Sequence, residues 1–402
     1  MNYSYEEFRE YIEEEDVKFV RLAFTDVKGN RKNISVTPES LEQAFEYGVP
    51  IDASLIDGFG DESFSDLFLH PDKDTTALLP WRPEHGKVVS MFCDITYQDG
   101  TPFENDTRTI LKNAVKECKK AGVSFTFGSR MEFYLFKTND DGGSTHIPCD
   151  QAGYMDVAPL DKGENVRREI ILTLEQMGIT PINSHHEAGP GQNQINFTVA
   201  DPLNAADHAC LFKTVVKSIA ASNGLFADFS PKPLANLPGS GYHISISATE
   251  DNGRQILPCV ISGILSNIYD TTIFFNPTAE SYERLGGDKA PRYISWSSEN
   301  RASLIRIPPA SGKHHIASLR SPDPMINPYL AFAILIYAGL DGINRNIELN
   351  PPANVNFAKV SSDILKQYKT LPLTLGEARA AACESEFVHK YIAQSVIDSY
   401  CI

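Results

Sequence analysis

Tyr242-His-Ile-Ser-Ile-Ser-Ala-Thr249 alternates apolar and polar side chains along its length. Side chains of a strand point to opposite faces in turn, so this stretch predicts a strand with one apolar face and one polar face that carries His243. Three further stretches read the same way: Met131 to Phe136, Gln192 to Val199 and Ser303 to Ile307. Together they present Glu132, Gln194, His243 and Arg306 on one surface and turn apolar residues toward a core. Amphipathic helical patterns lie around them, at Arg108 to Ala121, Glu164 to Met177, Ala205 to Asn223, Gln255 to Ile273 and Asn327 to Ile343. A last one spans Phe387 to Tyr400. The expectation is a curved antiparallel sheet lining a polar cavity and backed by helices.

Upstream, residues 17–35 alternate in polarity around Lys28-Gly29-Asn30, the pattern of a β-hairpin with a glycine-containing turn. A short helix from Pro38 to Tyr47 and a strand from Lys87 to Ile95 complete a small unit. The stretch Tyr97-Gln-Asp-Gly-Thr-Pro-Phe-Glu-Asn-Asp106 has the turn chemistry of a linker. The fold class is therefore α+β, with a small domain at residues 1–100 and a larger one at residues 101–402.

A formal net charge of -16 disfavours nucleic acid and anionic lipid, whose binding needs a basic face. The seven cysteines are odd in number and show no C-x-x-C pair, so they read as reduced thiols of a cytoplasmic protein. The N-terminus lacks the regions of a signal peptide, and the apolar runs read as too short to span a bilayer. Small molecules and protein surfaces remain as partners.

A series of segments in fixed order carries a resemblance. VKFVRLAFTDVKGN, IDASLIDGF and SFSDLFLHPDKDT come first; MEFYLF, AGYMDVAPLDKGENVRREIILTLEQMGI and SHHEAGPGQNQINF follow. GSGYHISIS, NPTAESYERL, NRASLIRIP and SLRSPDPMINPYLAFAILIYAGLDGI complete it. In this order they resemble the glutamine synthetase family, of the bacterial type I kind, over almost the whole chain. The resemblance implies an N-terminal β-grasp domain, a C-terminal catalytic domain, and a ring-shaped homo-oligomer with active sites between subunits.

In that family two divalent cations, Mg²⁺ or Mn²⁺, held by carboxylates and a histidine, neutralise charge as ATP phosphorylates glutamate before ammonia attacks. Hard cations need oxygen ligands. At the matching positions this chain keeps Glu132, Glu187 and His243 but carries Arg130, Gln194 and Ser318 where carboxylates are expected. The loop carboxylate expected before Ala-Pro falls at Lys289 or, with the register moved by one, Asp288. The resemblance leaves at best a weak metal site at Glu132, Glu187 and Gln194, and loses the one at Arg130, His243 and Ser318.

The amino-acid end of the pocket is retained. The resemblance assigns substrate binding to Glu132, Glu187, Gly239, His243, Arg284 and Arg320, and catalytic roles to Asp52, Arg301 and Arg306. At the nucleotide end, Ile316 and Ser245 stand where an arginine and a second histidine are expected. His185-His186 looks like a metal pair and reads as shaping the turn before Glu187.

Three readings stay open: a protein binding a glutamate-like amino acid or dicarboxylate, with ordinary ligation absent or strongly impaired; an active γ-glutamyl ligase using one cation; and a metal-independent enzyme on a glutamate-like substrate. The cofactors are Mg or Mn with ATP if the chain is active, and none otherwise.

Overall fold

A computed structural model describes residues 5–60, 63, 66–81, 85–287, 289–309 and 316–401. Asp288 lies outside the described residues. The first sheet is built from β1 (Val17–Thr25), β2 (Arg31–Val36), β3 (Val49–Asp52), β4 (Asp66–Pro71), β5 (Ala77–Leu78) and β6 (Lys87–Thr96), in the order β2-β1-β6-β4-β3 with β5 on β6. The expected hairpin is β1 and β2, paired antiparallel from Val20↔Val36 to Thr25↔Arg31. β1 and β6 run parallel, and this central pair is buried through Leu22, Val89 and Met91.

The second sheet carries the polar surface. Its strands are β7 (Val123–Thr138), β8 (Ser144–Pro148), β9 (Pro181–His186), β10 (Gln192–Phe197), β11 (Leu225–Asp228), β12 (Tyr242–Glu250), β13 (Trp296–Ser297), β14 (Ile305–Arg306) and β15 (Ala317–Leu319). The order is β13-β14-β15-β12-β7-β10-β9, with β8 and β11 also on β7. Pairing is antiparallel throughout except between β13 and β14. β7 is the spine: it extends well before the expected Met131 and pairs with β12 from Tyr242↔Met131 to Glu250↔Val123.

Helices cover the apolar face. The long apolar helices Leu257–Phe275 and Pro328–Asn344 pack on each other, and Phe127 of β7 stacks on Phe332 at 4.5 Å between ring centres. Leu257–Phe275 is apolar and long enough to cross a membrane by length and composition, which corrects the expectation for the apolar runs. Most of it is buried within the fold, the pattern of a core helix. The expected helix Phe387 to Tyr400 is two, Glu386–Tyr391 and Gln394–Cys401, parted where Ile392 adopts extended backbone and buries its side chain. The short helix Tyr5–Glu14, which buries Phe8 and Ile12 one turn apart, was not among the sequence expectations.

Arg108, 3% exposed, ties the two sheets' units together. Its guanidinium donates to Asp94 and Asp72 at 2.8 Å each, and to Asp207 at 3.1 Å, while Tyr329 Oη donates to Asp207 at 2.6 Å.

Candidate active site

The strand register assembles the site. Residues opposite one another across a sheet share a face, so the pairings Gln194↔Glu132, Asn196↔Arg130 and His243↔Arg130 put five polar side chains on one surface. The pairings Ser245↔Ser318, Arg306↔Ser318 and Ser245↔Gly128 extend it toward β14. This surface floors a cavity of about 1010 Å³ whose walls include Tyr154, Glu187, Lys289, Arg301 and Arg320. A small chamber of about 20 Å³ shares Glu132, Glu187, His243 and Lys289 with it and adds Gly239 and Arg284.

Glu132 and Glu187 are both buried yet sit in opposite electrostatic settings. Glu132 Oε2 accepts from the Gly241 amide at 2.8 Å and weakly from Gln192 Nε2 at 3.4 Å. Burial first, then the nearby Glu187 charge, push its carboxyl up to about 7. Glu187 meets opposing forces: burial favours its neutral form, but a hydrogen bond from His185 and the Lys289 ammonium outweigh it and hold the carboxyl below its ordinary value. His185 Nε2 lies 3.0 Å from Oε1, and Lys289 Nζ donates to Oε2 at 3.1 Å.

Of the two candidates for the loop position, Lys289 is the one among the described residues, and it reaches the cavity. Its ammonium sits on Glu187 and over the Tyr154 ring at 4.4 Å from the centroid. Its backbone is left-handed, with φ 61°, a conformation costly for a residue with a Cβ. The Glu187 bond and the ring contact hold it there.

Opposite them stand donors without acceptors. Among the described residues no hydrogen bond or ion pair engages the guanidiniums of Arg130, Arg301, Arg306 or Arg320. Arg306 Nε, Arg320 Nε, His243 Nδ1 and Ser318 Oγ are buried and lack a partner. Burial first, and Arg301 next, depress the Arg130 guanidinium. Burial pushes Arg320 down to about 10, and Arg130, Arg301 and Arg306 add to that against the pull of Glu132. His243 is held well below its ordinary value by burial and then by Arg320 and Arg130, so it is neutral at pH 7.

The remaining sequence-derived residues fall in different places. Gln194 is 4% exposed and donates to Asn196 Oδ1 at 3.0 Å, and Asn196 donates to Asn183 at 2.5 Å, a neutral amide ladder along the cavity wall. Gly239 backs onto Arg284, and a Cβ there would lie 2.9 Å from Arg284 Cγ. Arg284 itself directs its terminal nitrogens to the carbonyls of Ser321 at 2.8 Å and Pro322 at 3.1 Å, so it shapes the chamber more than it fills it. Asp52 is exposed at the end of β3 and accepts from Ser54; one chain does not bring it to the cavity. Tyr154, Asn183 and Asn196 were missed by sequence reasoning, although the two-residue period of β10 pairs Asn196 with Gln194.

The residues on the cavity floor do not suit a hard cation. Glu187 presents its oxygens to His185 and Lys289, and the Arg130 guanidinium stands opposite His243. Two like charges 4 Å apart repel by about 4 kcal/mol at an effective dielectric near 20, and a divalent ion beside Arg130 would meet about twice that. With Glu187 engaged by His185 and Lys289, the set Glu132, Glu187 and Gln194 offers a hard cation few free oxygens.

Among the described residues, the acidic and histidine side chains close enough together to share a metal are Asp150, Asp161 and His186. They are already satisfied. Asp150 accepts from His186 Nε2 at 3.0 Å and from the Ala152, Lys162 and Gly191 amides, and Asp161 accepts from Arg167. His186 faces oxygens at both ring nitrogens, Nδ1 lying 2.7 Å from the Glu187 carbonyl, so it donates from both and is cationic. A doubly protonated imidazole is no metal ligand. The cluster pins the ends of the turn from Glu187 to Gly191, which follows His186 rather than preceding Glu187 as the sequence reading of His185-His186 has it.

The two-domain α+β architecture, with a nine-stranded sheet opening onto a cavity of arginines and carboxylates, defines the scaffold of a carbon–nitrogen ligase. Residues 104–402 match the model of the glutamine synthetase catalytic domain, and residues 16–98 that of its beta-grasp domain. The chain belongs to the glutamine synthetase family. It is 42% identical to a glutamine synthetase of Clostridium saccharobutylicum, over 99% of this chain and 93% of that one. A Methanosarcina mazei glutamine synthetase is also 42% identical, over 98% and 92%. Among solved structures, a GmaS–ADP complex superposes with a TM-score of 0.89 at 26% identity, covering 98% of this chain and 94% of that one. The Plasmodium falciparum glutamine synthetase shares the fold, with a TM-score of 0.87 at 22% identity over 100% and 95%.

Proposed function

We propose that this chain uses the glutamine synthetase scaffold to bind a glutamate-like amino acid or dicarboxylate, and that ordinary Mg- and ATP-dependent ligation of glutamate with ammonia is absent or strongly impaired. One observation carries the reading: Lys289 Nζ stands on Glu187 at 3.1 Å, with Arg130 opposite His243, where the family's chemistry calls for carboxylates around cations. Fixed cations at these places compete with mobile ones. Glu132 is left for the ligand's ammonium, and Arg320 and the Gly239 chamber for its carboxylates.

In this reading the domains divide near residue 100, the protein works in the cytoplasm, and copies of the chain assemble into a ring. The ring brings the exposed Asp52 of one subunit to the cavity of the next. The test is an assay of purified protein for glutamine formation with glutamate, ATP, ammonia and Mg²⁺ or Mn²⁺. No turnover, or turnover at least a hundredfold below the enzyme median of about 10 s⁻¹, is expected; a rate near that median overturns the reading. A thermal-shift screen should find stabilisation by glutamate or a related dicarboxylate.

A second reading has one observation in its favour. Glu132, pushed up to about 7, lies on the same cavity floor as a neutral His243 on the neighbouring strand, a pair suited to moving a proton without a metal. The likeness to an ADP-bound GmaS supports nucleotide binding in the active-ligase variant, though Ile316 and Ser245 offer little for a base.

A further inference from the structure

Far from the cavity, two cysteines stand together at the surface. Cys93, Cys118, Cys149 and Cys210 are buried, out of reach of an oxidant, whereas Cys383 is exposed and Cys401 partly so. The two belong to helices that pack on each other, Leu375–Glu384 and Gln394–Cys401. Cys401 Sγ lies 3.6 Å from the Arg379 carbonyl oxygen, one helical turn before Cys383. A helical side chain leans back over the turn that precedes it, so the Cys383 thiol covers that same turn. There the two thiols meet as hydrogen-bond partners. Burial first, and then this contact, push Cys401 up to about 12, while the Arg379 guanidinium pulls the other way.

The helix that carries Cys401 is a clasp. Tyr400 Oη donates to the Val27 carbonyl at 3.1 Å, in the turn between β1 and β2, and its ring lies 4.9 Å from that of Phe274 in the helix Leu257–Phe275. Ser395 Oγ donates to Asn105 Oδ1 at 2.5 Å. One short helix therefore grips both the first sheet's hairpin and the helical layer behind the second sheet. Its last turn has no carbonyl partners further along a helix, so that end is the one to fray.

We propose that Cys383 and Cys401 form a reversible intramolecular disulfide when the protein meets a peroxide, and that this bond locks the clasp. The exposed Cys383 sulfur, as thiolate, attacks one oxygen of hydrogen peroxide; the O–O bond breaks, and hydroxide leaves and takes up a proton to become water. Cys383 is then a sulfenic acid. The Cys401 sulfur gives up its proton and attacks the Cys383 sulfur, the S–O bond breaks, and a second water leaves. Two thiols lose two electrons and two protons, and the peroxide gains both. Part of what holds Cys401 neutral is its contact with the Cys383 thiol, and oxidation of Cys383 removes that part. The reduced thiols read from the sequence are the resting state, since disulfides of cytoplasmic proteins are transient. A bond that closes the segment between the two helices restricts the unfolded chain and so stabilises the fold.

The test treats the full-length protein with hydrogen peroxide, blocks the remaining thiols with N-ethylmaleimide and maps its peptides by mass spectrometry without reductant. One linked pair of peptides is expected, joining Cys383 to Cys401 within one chain and separated again by dithiothreitol. The oxidised protein should unfold a few degrees above the reduced one, and Cys383→Ser should abolish both the link and the shift. Cys401→Ser should instead leave a sulfenic acid on Cys383 that dimedone traps, which separates the attacking thiol from the one that closes the bond. The mapping uses the parent, so it decides the matter even if a variant fails to fold. Peroxide oxidation without a Cys383–Cys401 link, a link between separate copies of the chain, or a link that leaves Tm unchanged overturns the proposal.

Discussion

Glu132 and Glu187 show how neighbouring carboxyls acquire different chemistry from their surroundings. Glu187 keeps its charge because Lys289 and His185 reach it; Glu132, fully buried, has a backbone amide as its closest donor. The folded value of Glu132, about 7, lies above its ordinary 4.5. Its contribution to stability is therefore complete below about 4.5 and is lost as pH rises through 7. Glu132→Gln mimics the protonated form, so it should raise Tm relative to the parent at pH 8 and change it little at pH 5. An equal change at both pH values would contradict the assignment. These positions were legible in the sequence because each motif carries its residue at a fixed place. The pairing of Glu187 with Lys289 was not, since the two lie far apart in the chain and only the fold brings the ammonium onto the carboxylate.

At the scale of elements, alternation located the central strands but understated β7. Its early part, Val123 to Arg130, includes Gly128 and Ser129, which blur the pattern, and tertiary pairing with β12 decides its length. The amphipathic helices were found within a few residues. Tyr5–Glu14 was missed because nine of its ten positions are polar or aromatic and its buried stripe is only Phe8 and Ile12. The last helix was drawn unbroken because apolar spacing continues past Ile392, where backbone geometry changes and spacing does not register it. The apolar pair Leu257–Phe275 and Pro328–Asn344 approaches most closely at Gly263 and Gly342. A Cβ at Gly263 would strike the Ala338 carbonyl oxygen and come within 2.7 Å of the Gly342 nitrogen. Gly263→Ala is expected to destabilise the protein by about 1–3 kcal/mol, read as a lower urea midpoint at unchanged slope. A midpoint equal to the parent's would show that the helices part easily.

Across the whole molecule, Arg108 is the joint between the small sheet and the large unit. Three aspartates surround one nearly inaccessible guanidinium, and despite burial Asp207 first, with Asp94, holds its proton affinity well above the ordinary value. Arg108→Met leaves Asp207 buried without its cation, and a loss of about 3–5 kcal/mol follows for breaking such a group from one side. Denaturant unfolding monitored at both sheets reads it; a loss under about 1 kcal/mol would mean that apolar contacts hold the joint. The same scale carries the main proposal, since the fold is that of the glutamine synthetase family while the cavity sets four basic side chains, Arg130, Lys289, Arg301 and Arg320, against the carboxylates Glu132 and Glu187. The direct measurement is a Mn²⁺ titration of the parent beside the variant that carries Arg130→Glu, Gln194→Glu, Ser318→Glu and Lys289→Glu together. The account predicts no saturable Mn²⁺ binding below millimolar concentration by the parent and a clear gain in affinity by the variant. Two tightly bound Mn²⁺ per parent chain, or no gain on restoring the four carboxylates, would contradict it.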